Sequence, residues 1–150
     1  MLDIVNVAGG PECKKYAKDI RRAIRAALKF EGVDLRCEVN VELSDDCKIQ
    51  KLNREYRGKD SSTDVLSFPL TEPGEPFETN PENGVAQLGD IIISLETAQK
   101  QSERLGQSIE AELMFLAVHA TLHLLGHDHE TSEEDDLAMR EKQKEIIKTL

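Results

Sequence analysis

All four histidines of the chain lie between His119 and His129, in the run H-A-T-L-H-L-L-G-H-D-H. His119 and His123 are four residues apart. On a helix they stand one turn above each other on one face, where two imidazoles can share a metal ion. Gly126 supplies a residue able to take the left-handed conformation that ends a helix, and a chain turning there can bring His129 back toward the same point. Three neutral nitrogen ligands leave a zinc ion its full charge and an open fourth position, where water has its pKa lowered to about 7. That describes a catalytic site better than a structural one. His127 does not fit the helix-face geometry and is expected to face solvent or to support the ligands from behind.

The spacing H-x-x-x-H-x-x-G-x-x-H is shared with one class of zinc protease. Those enzymes carry a Glu directly after the first His to take a proton from water. Here that position is Ala120, which has no titratable group and so opposes a peptidase working by that route. A second stretch with chemical potential, L-N-R-E-Y-R-G-K-D-S-S-T-D-V-L-S-F-P-L from Leu52 to Leu70, sets Arg57 and Lys59 after a helix and before a strand. Arg57 could hold a phosphate through its planar fork of donors, although an Arg in a turn is, taken alone, more often a surface residue.

The elements that must position these residues follow from periodicity. Residues 2–7 and 36–43 alternate apolar and polar as half-buried strands. Between them, residues 11–30 repeat apolar positions at helical spacing, with Lys14, Lys18, Arg21, Arg22, Arg25 and Lys29 forming a basic stripe on the other side. Ser44 is the expected N-cap of a helix to about Tyr56, and residues 64–68 a third strand that Pro69 ends. Residues 71–87, rich in Pro, Glu, Gly and Asn, read as an exposed loop, and residues 88–94 as a strand for the middle of a sheet. Asp90 within it is expected to hold a loop or to support a metal-bound His. Ser94 and Ser108 then open two helices. The second is apolar almost all round, so it is buried centrally and carries His119 and His123 into the core. Glu112, seven residues before His119, is either a proton carrier, a supporting group or a surface residue. Thr131 or Ser132 caps a last helix whose acidic start and basic end suit its dipole. The resulting order is β-α-β-α-β-β-α-α-α.

At 150 residues the chain is expected to form one domain, residues 1–150, able to bury a core unaided. No signal peptide or membrane span is visible, and Cys13, Cys37 and Cys47 have no C-x-x-C spacing, so a soluble, cytoplasmic protein with reduced thiols is expected. The net charge of −10 excludes wholesale electrostatic wrapping of nucleic acid. It is uneven: residues 1–59 carry 13 Lys and Arg against 10 Asp and Glu, and residues 60–150 carry 6 against 19, so a polyanion should be met by the first half.

The chain resembles the YbeY family, bacterial metal-dependent single-strand endoribonucleases. The likeness is carried by H-x-x-x-H-x-x-x-x-x-H at His119, His123 and His129, L-N-x-x-Y-R-x-K-D at 52–60, T-D-V-L-S-F-P at 63–69 and L-G-D-I at 88–91. One difference is His127, where a Tyr is common in the family. The resemblance implies that the three histidines bind one Zn2+ and that Arg57 is needed for catalysis. It implies single-stranded RNA as substrate, ribosomal RNA above all. The role implied is rRNA processing, including the 3′ end of 16S rRNA, and ribosome quality control, with ribosomal subunits or assembly proteins as partners and no membrane. The implied fold is α+β, a mixed four-stranded sheet packed with about five helices on a metalloprotease-like, or zincin-like, scaffold. Two rivals stand beside this reading: a metallopeptidase-like hydrolase, and a non-catalytic ribosome assembly factor stiffened by its metal.

Overall fold

Alternation in β2 (Cys37–Ser44) buries Cys37, Val39, Val41 and Leu43 on one face of a sheet and leaves Asn40 exposed on the other. This computed structural model describes residues 3–11, 13–127 and 132–150. On one side β2 pairs in parallel with β1 (Ile4–Ala8), on the other with β4 (Ala86–Ser94), and β3 (Val65–Pro69) closes the far edge antiparallel to β4, giving the order β1-β2-β4-β3. Parallel neighbours need a crossover. Helix α1 (Cys13–Phe30) provides the first, and α2 (Asp46–Arg57) together with β3 provides the second.

Three further helices follow: α3 (Leu95–Leu105), α4 (Ile109–Leu124) and α5 (Glu133–Lys148). Helix α4 is the centre of the molecule. Its Leu113, Leu116, Ala117, Val118, Ala120, Leu122 and Leu124 are buried, and it touches α1, α3, α5, β3 and β4. Truncating one such Leu to Ala costs about 2–5 kcal/mol, so this helix is fixed firmly enough to set the position of whatever it carries. Val65 and Ser67 of β3 are in register with Ile93 and Ile91 and share the face that meets α4. Leu66 and Phe68 point the other way, where Ile49 of α2 is buried and Tyr56 meets the Phe68 ring edge-on at 5.5 Å. The end of α2 and the loop after it thus wrap the β3 edge and arrive beside α4.

The single mixed four-stranded sheet with five helices among the described residues is the α+β arrangement expected. Several boundaries shift, three of them for a clear physical reason. The α2 cap is Asp45, whose carboxylate accepts from Lys48 N at 2.8 Å, because Ser44 still belongs to the β2 ladder. Strand β4 starts at Ala86 rather than at Leu88, so Val85 and Ala86 are buried inside a segment expected to be exposed loop. The composition of that segment concealed the ladder bond from Ala86 N to Arg36 O. Pro69, expected to end β3 from outside, is its last residue, on the sheet edge where a missing N–H costs nothing. Ser94, Ser108 and Ser132 cap their helices as expected, while Thr131 lies outside the described residues. Among the described residues no helix is long and apolar enough to cross a membrane.

One close approach locks β3 to β4. Gly89 sits at φ +142°, and a Cβ placed there would stand 2.2 Å from the Phe68 carbonyl oxygen and 3.1 Å from Leu124. Only glycine lets the edge strand, and the cleft wall it forms, come this near.

Candidate functional site

His119 and His123 project from the last two turns of α4, partly buried, with their Nε2 atoms 3.2 Å apart and ring planes at 66°. Two nitrogens bound to one tetrahedral zinc at 2.0–2.1 Å stand about 3.3 Å apart, so the pair matches the bite of a shared ion. The turn expected at Gly126 is present, with φ +99° and hydrogen bonds from Gly126 N to His123 O and from His127 N to Leu122 O. That double bond pattern is the Schellman ending of a helix. His129, the third expected ligand, lies outside the described residues. Among the described residues no group of three His, Cys, Asp or Glu side chains is placed to hold a metal, so the described part of the site is the pair.

The pair opens into a cleft of about 660 Å3 between α4, β3 and the segment after α2. Arg57 and Lys59 line it, both exposed, together with Ser61, Ser62, Thr63 and Asp64. The helix end that carries Arg57 is finished by Gly58, whose N–H bonds to Asn53 O. Asn53 is buried in the cleft wall and donates from Nδ2 to Ser61 O at 2.9 Å, which fixes the return of the loop. Asp46 fastens the loop from outside: its Oδ1 accepts from Ser94 and Thr97 hydroxyls at 2.5 Å each and from Ser62 at 3.1 Å. The Ser94 and Thr97 hydrogen bonds hold its carboxyl below the ordinary 3.8.

Asp64 is the one carboxylate among the described lining residues, and Val65 N, the Thr63 hydroxyl and Gln101 Nε2 all donate to it. Ala120 forms part of the wall beside His119, so where the protease pattern has its proton-accepting Glu the cleft presents a methyl group. His127 also lines the cleft, its ring paired with the Glu31 carboxylate. Glu31 takes Lys142 Nζ at 3.0 Å as well, a brace joining α1, the end of α4 and α5. Burial pushes Glu31 up, but the hydrogen bonds and charges of Lys142 and His127 outweigh it and keep its carboxyl below 4.5. His127 is thus tied into the wall and does not point freely into solvent.

Other expectations are corrected. Asp90 is exposed on the sheet face opposite α4, between Asn40 and Phe68 in the ladder, and is not part of the cleft wall. Glu112 is buried, accepts from Gln107 Nε2 at 2.6 Å and does not line the cleft; burial raises its pKa above 4.5, and the charge of Asp64 adds to this. It fixes the start of α4. The basic stripe of α1 is partly consumed by structure, since Arg21 Nε donates to Val5 O at 2.9 Å and Arg25 Nη2 to Asp3 O at 3.1 Å. None of its residues lines the cleft, where the cations are Arg57 and Lys59.

One functional neighbour escaped the sequence reading. Gln143 of α5 is 6 % exposed, and its Nε2 stands 3.0 Å from His119 Nδ1. The signal was an amide between Met139 and Ile146 on the buried stripe of α5, a position where burial demands a partner.

Fold and cleft together define a class: an α+β protein whose paired imidazoles face a lip of cations and hydroxyls, suited to a polar, anionic ligand. A family model described as Endoribonuclease YbeY matches residues 7–150, and the chain belongs to that family. Similar proteins include an "Endoribonuclease YbeY" of Caldanaerobacter subterraneus, 51 % identical over 86 % of this chain and 84 % of the relative. Another, from Bacillus subtilis, is 42 % identical over 98 % of this chain and 93 % of the relative. A solution structure of a Thermotoga maritima protein matches with a TM-score of 0.65 at 28 % identity, covering 96 % of this chain and 87 % of that one.

Proposed function

We propose that this protein is a zinc-dependent endoribonuclease that cuts single-stranded RNA, with ribosomal RNA, including the 3′ end of 16S rRNA, as its substrate in ribosome maturation and quality control. Ribosomal subunits or assembly proteins in the cytoplasm are the partners of this reading, and the metalloprotease-like scaffold belongs to it. Family membership supports the endoribonuclease activity. The observation that carries the metal is the 3.2 Å separation of two imidazole nitrogens at the floor of a cleft with a cationic lip. His119, His123 and His129 are the proposed ligands. When bound there, zinc supplies Lewis-acid polarisation of a phosphoryl oxygen and acidifies water.

The chain's own groups define the rest. Arg57 holds the scissile phosphate with its planar fork and stabilises the charge that builds on it during cleavage, while Lys59 adds a point charge on the same side. Hydroxyls of Ser61, Ser62 and Thr63 offer donors that adjust to phosphate or ribose oxygens. Ala120 leaves the first His without the neighbouring base that peptide hydrolysis by the protease route requires.

The test is cleavage of a single-stranded RNA by purified protein, with and without chelation, beside Arg57→Ala carrying measured zinc. Loss of cleavage in Arg57→Ala with zinc retained supports the enzyme. RNA processing that persists after the histidines are replaced and the metal is lost would favour the assembly factor and sink the proposal.

A further inference from the structure

His119 stands between two cavities. Its Nε2 faces His123 in the first, and its Nδ1 faces Gln143 in a second of about 580 Å3 between α4 and α5. The second cavity shares Asp64 and His119 with the cleft, so the two adjoin at these residues. Its character differs. Phe115, Leu116, Met139 and Ile147 make an apolar wall, and the exposed Arg140 and Lys144 stand on the α5 side. A volume of several hundred Å3 lined by apolar and aromatic groups with a few polar ones is the usual form of a small-ligand pocket.

Phe115 is 42 % exposed, and a single exposed apolar residue needs no explanation by itself. Its placement does. Phe115, His119 and His123 are four residues apart and follow one stripe of α4, with a rise of about 6 Å, slightly more than one helical turn, between successive members. A strand that laid a phosphate against His119 and His123 would carry its next base past the Phe115 ring.

We propose that this second cavity receives a nucleobase of the substrate strand, from the nucleotide adjacent to the phosphate in the histidine cleft, stacked on Phe115 with Arg140 and Lys144 facing the neighbouring phosphate. The inference rests on the RNA reading above and extends it. A base offers a π-face to an aromatic ring whatever its identity, so such a subsite binds without strict sequence preference. Arg140 keeps donors available beyond its 3.1 Å contact with Asp136, because a guanidinium carries five N–H groups. The subsite also gives a physical origin for strand selectivity. An unpaired base can enter at once, whereas a base in a duplex must first be unstacked and unpaired.

The test is a cycle between protein and RNA, using full-length protein loaded with zinc. Wild type and Phe115→Ala bind a single-stranded oligonucleotide whose scissile bridging oxygen is replaced by methylene, so that neither water nor the 2′-OH can cleave it, in an intact form and in forms abasic on one or other side of the cleavage position. The expected result is about tenfold weaker binding by Phe115→Ala for the intact strand. The difference should vanish for one abasic form, with zinc content and melting temperature as in wild type. Phe115→Leu keeps apolar volume without the ring and serves if the Ala variant is unstable. Equal weakening for intact and abasic strands overturns the proposal, as does unchanged binding. A wild-type protein that neither binds nor cuts RNA refutes the underlying reading as well, while one that cuts RNA with Phe115 irrelevant removes only the subsite.

Discussion

Replacement of Gln143 by leucine tests the metal reading at a residue that is not a ligand. His119 must present a bare Nε2 to a metal, which moves its proton to Nδ1. The neighbour at 3.0 Å is then required to accept. Gln143 can do so, because turning its amide over exchanges Nε2 for Oε1 with no other movement. Leucine fills a similar volume and accepts nothing. In the metal-free protein the His119 proton can sit on Nε2, toward His123, so the missing acceptor is felt mainly when the ion binds. An unsatisfied buried donor costs about 1–3 kcal/mol. Loss of such a supporting hydrogen bond weakens metal affinity about 10–100-fold, or roughly 1.4–2.8 kcal/mol, so the two estimates agree. Zinc affinity measured by competition with a chromophoric chelator should therefore fall 10–100-fold in Gln143→Leu. It should stay within a few-fold of wild type in Gln143→Glu, whose carboxylate accepts from Nδ1–H. Zinc binding by Gln143→Leu at wild-type strength would refute the reasoning, and equal losses in both variants would reduce Gln143 to a packing residue.

Arg57→Lys should keep zinc and fold yet lose most of the cleavage rate, because a single ammonium cannot reproduce the bidentate fork; a rate near wild type would show that only charge is needed there. Gly89→Ala places a methyl 2.2 Å from the Phe68 carbonyl at φ +142°. A loss of more than about 2 kcal/mol in chemical denaturation is expected, with faster hydrogen exchange along β3, and a neutral effect would mean that the strand edge yields easily. Glu31, held below its ordinary 4.5 by Lys142 and His127, stabilises the fold fully above that value and loses the contribution as pH falls through its lower folded value. The gap in unfolding free energy between wild type and Glu31→Gln should be widest above the ordinary carboxylate value of 4.5 and narrow as pH falls below it, and a gap independent of pH contradicts the brace.

The histidine run and the helix that carries it were legible in the sequence because both are local. A four-residue interval fixes a shared helix face, apolar residues all round fix burial, and Gly126 announces the turn. The caps at Ser94, Ser108 and Ser132 were legible for the same reason. Asp90 and Glu112 were not, since a carboxylate at a suggestive interval reaches the site only if tertiary packing turns it there. The sheet turns Asp90 outward, and Glu112 bonds Gln107 at the start of α4 without lining the cleft.

What the sequence alone determined is the set of elements and the chemistry each carries: imidazoles at helical spacing, an Arg and a Lys around the end of a helix, a last helix whose charges suit its dipole. What only the tertiary structure decided is which of them meet. Arg57 shares a cleft with the histidines because β3 runs antiparallel at the sheet edge and the loop after α2 wraps around it. Gln143 reaches His119 from 24 residues away because α5 packs its buried stripe against α4. Such contacts depend on the relative placement of elements distant in the chain, set by the shared core, and no local pattern encodes them.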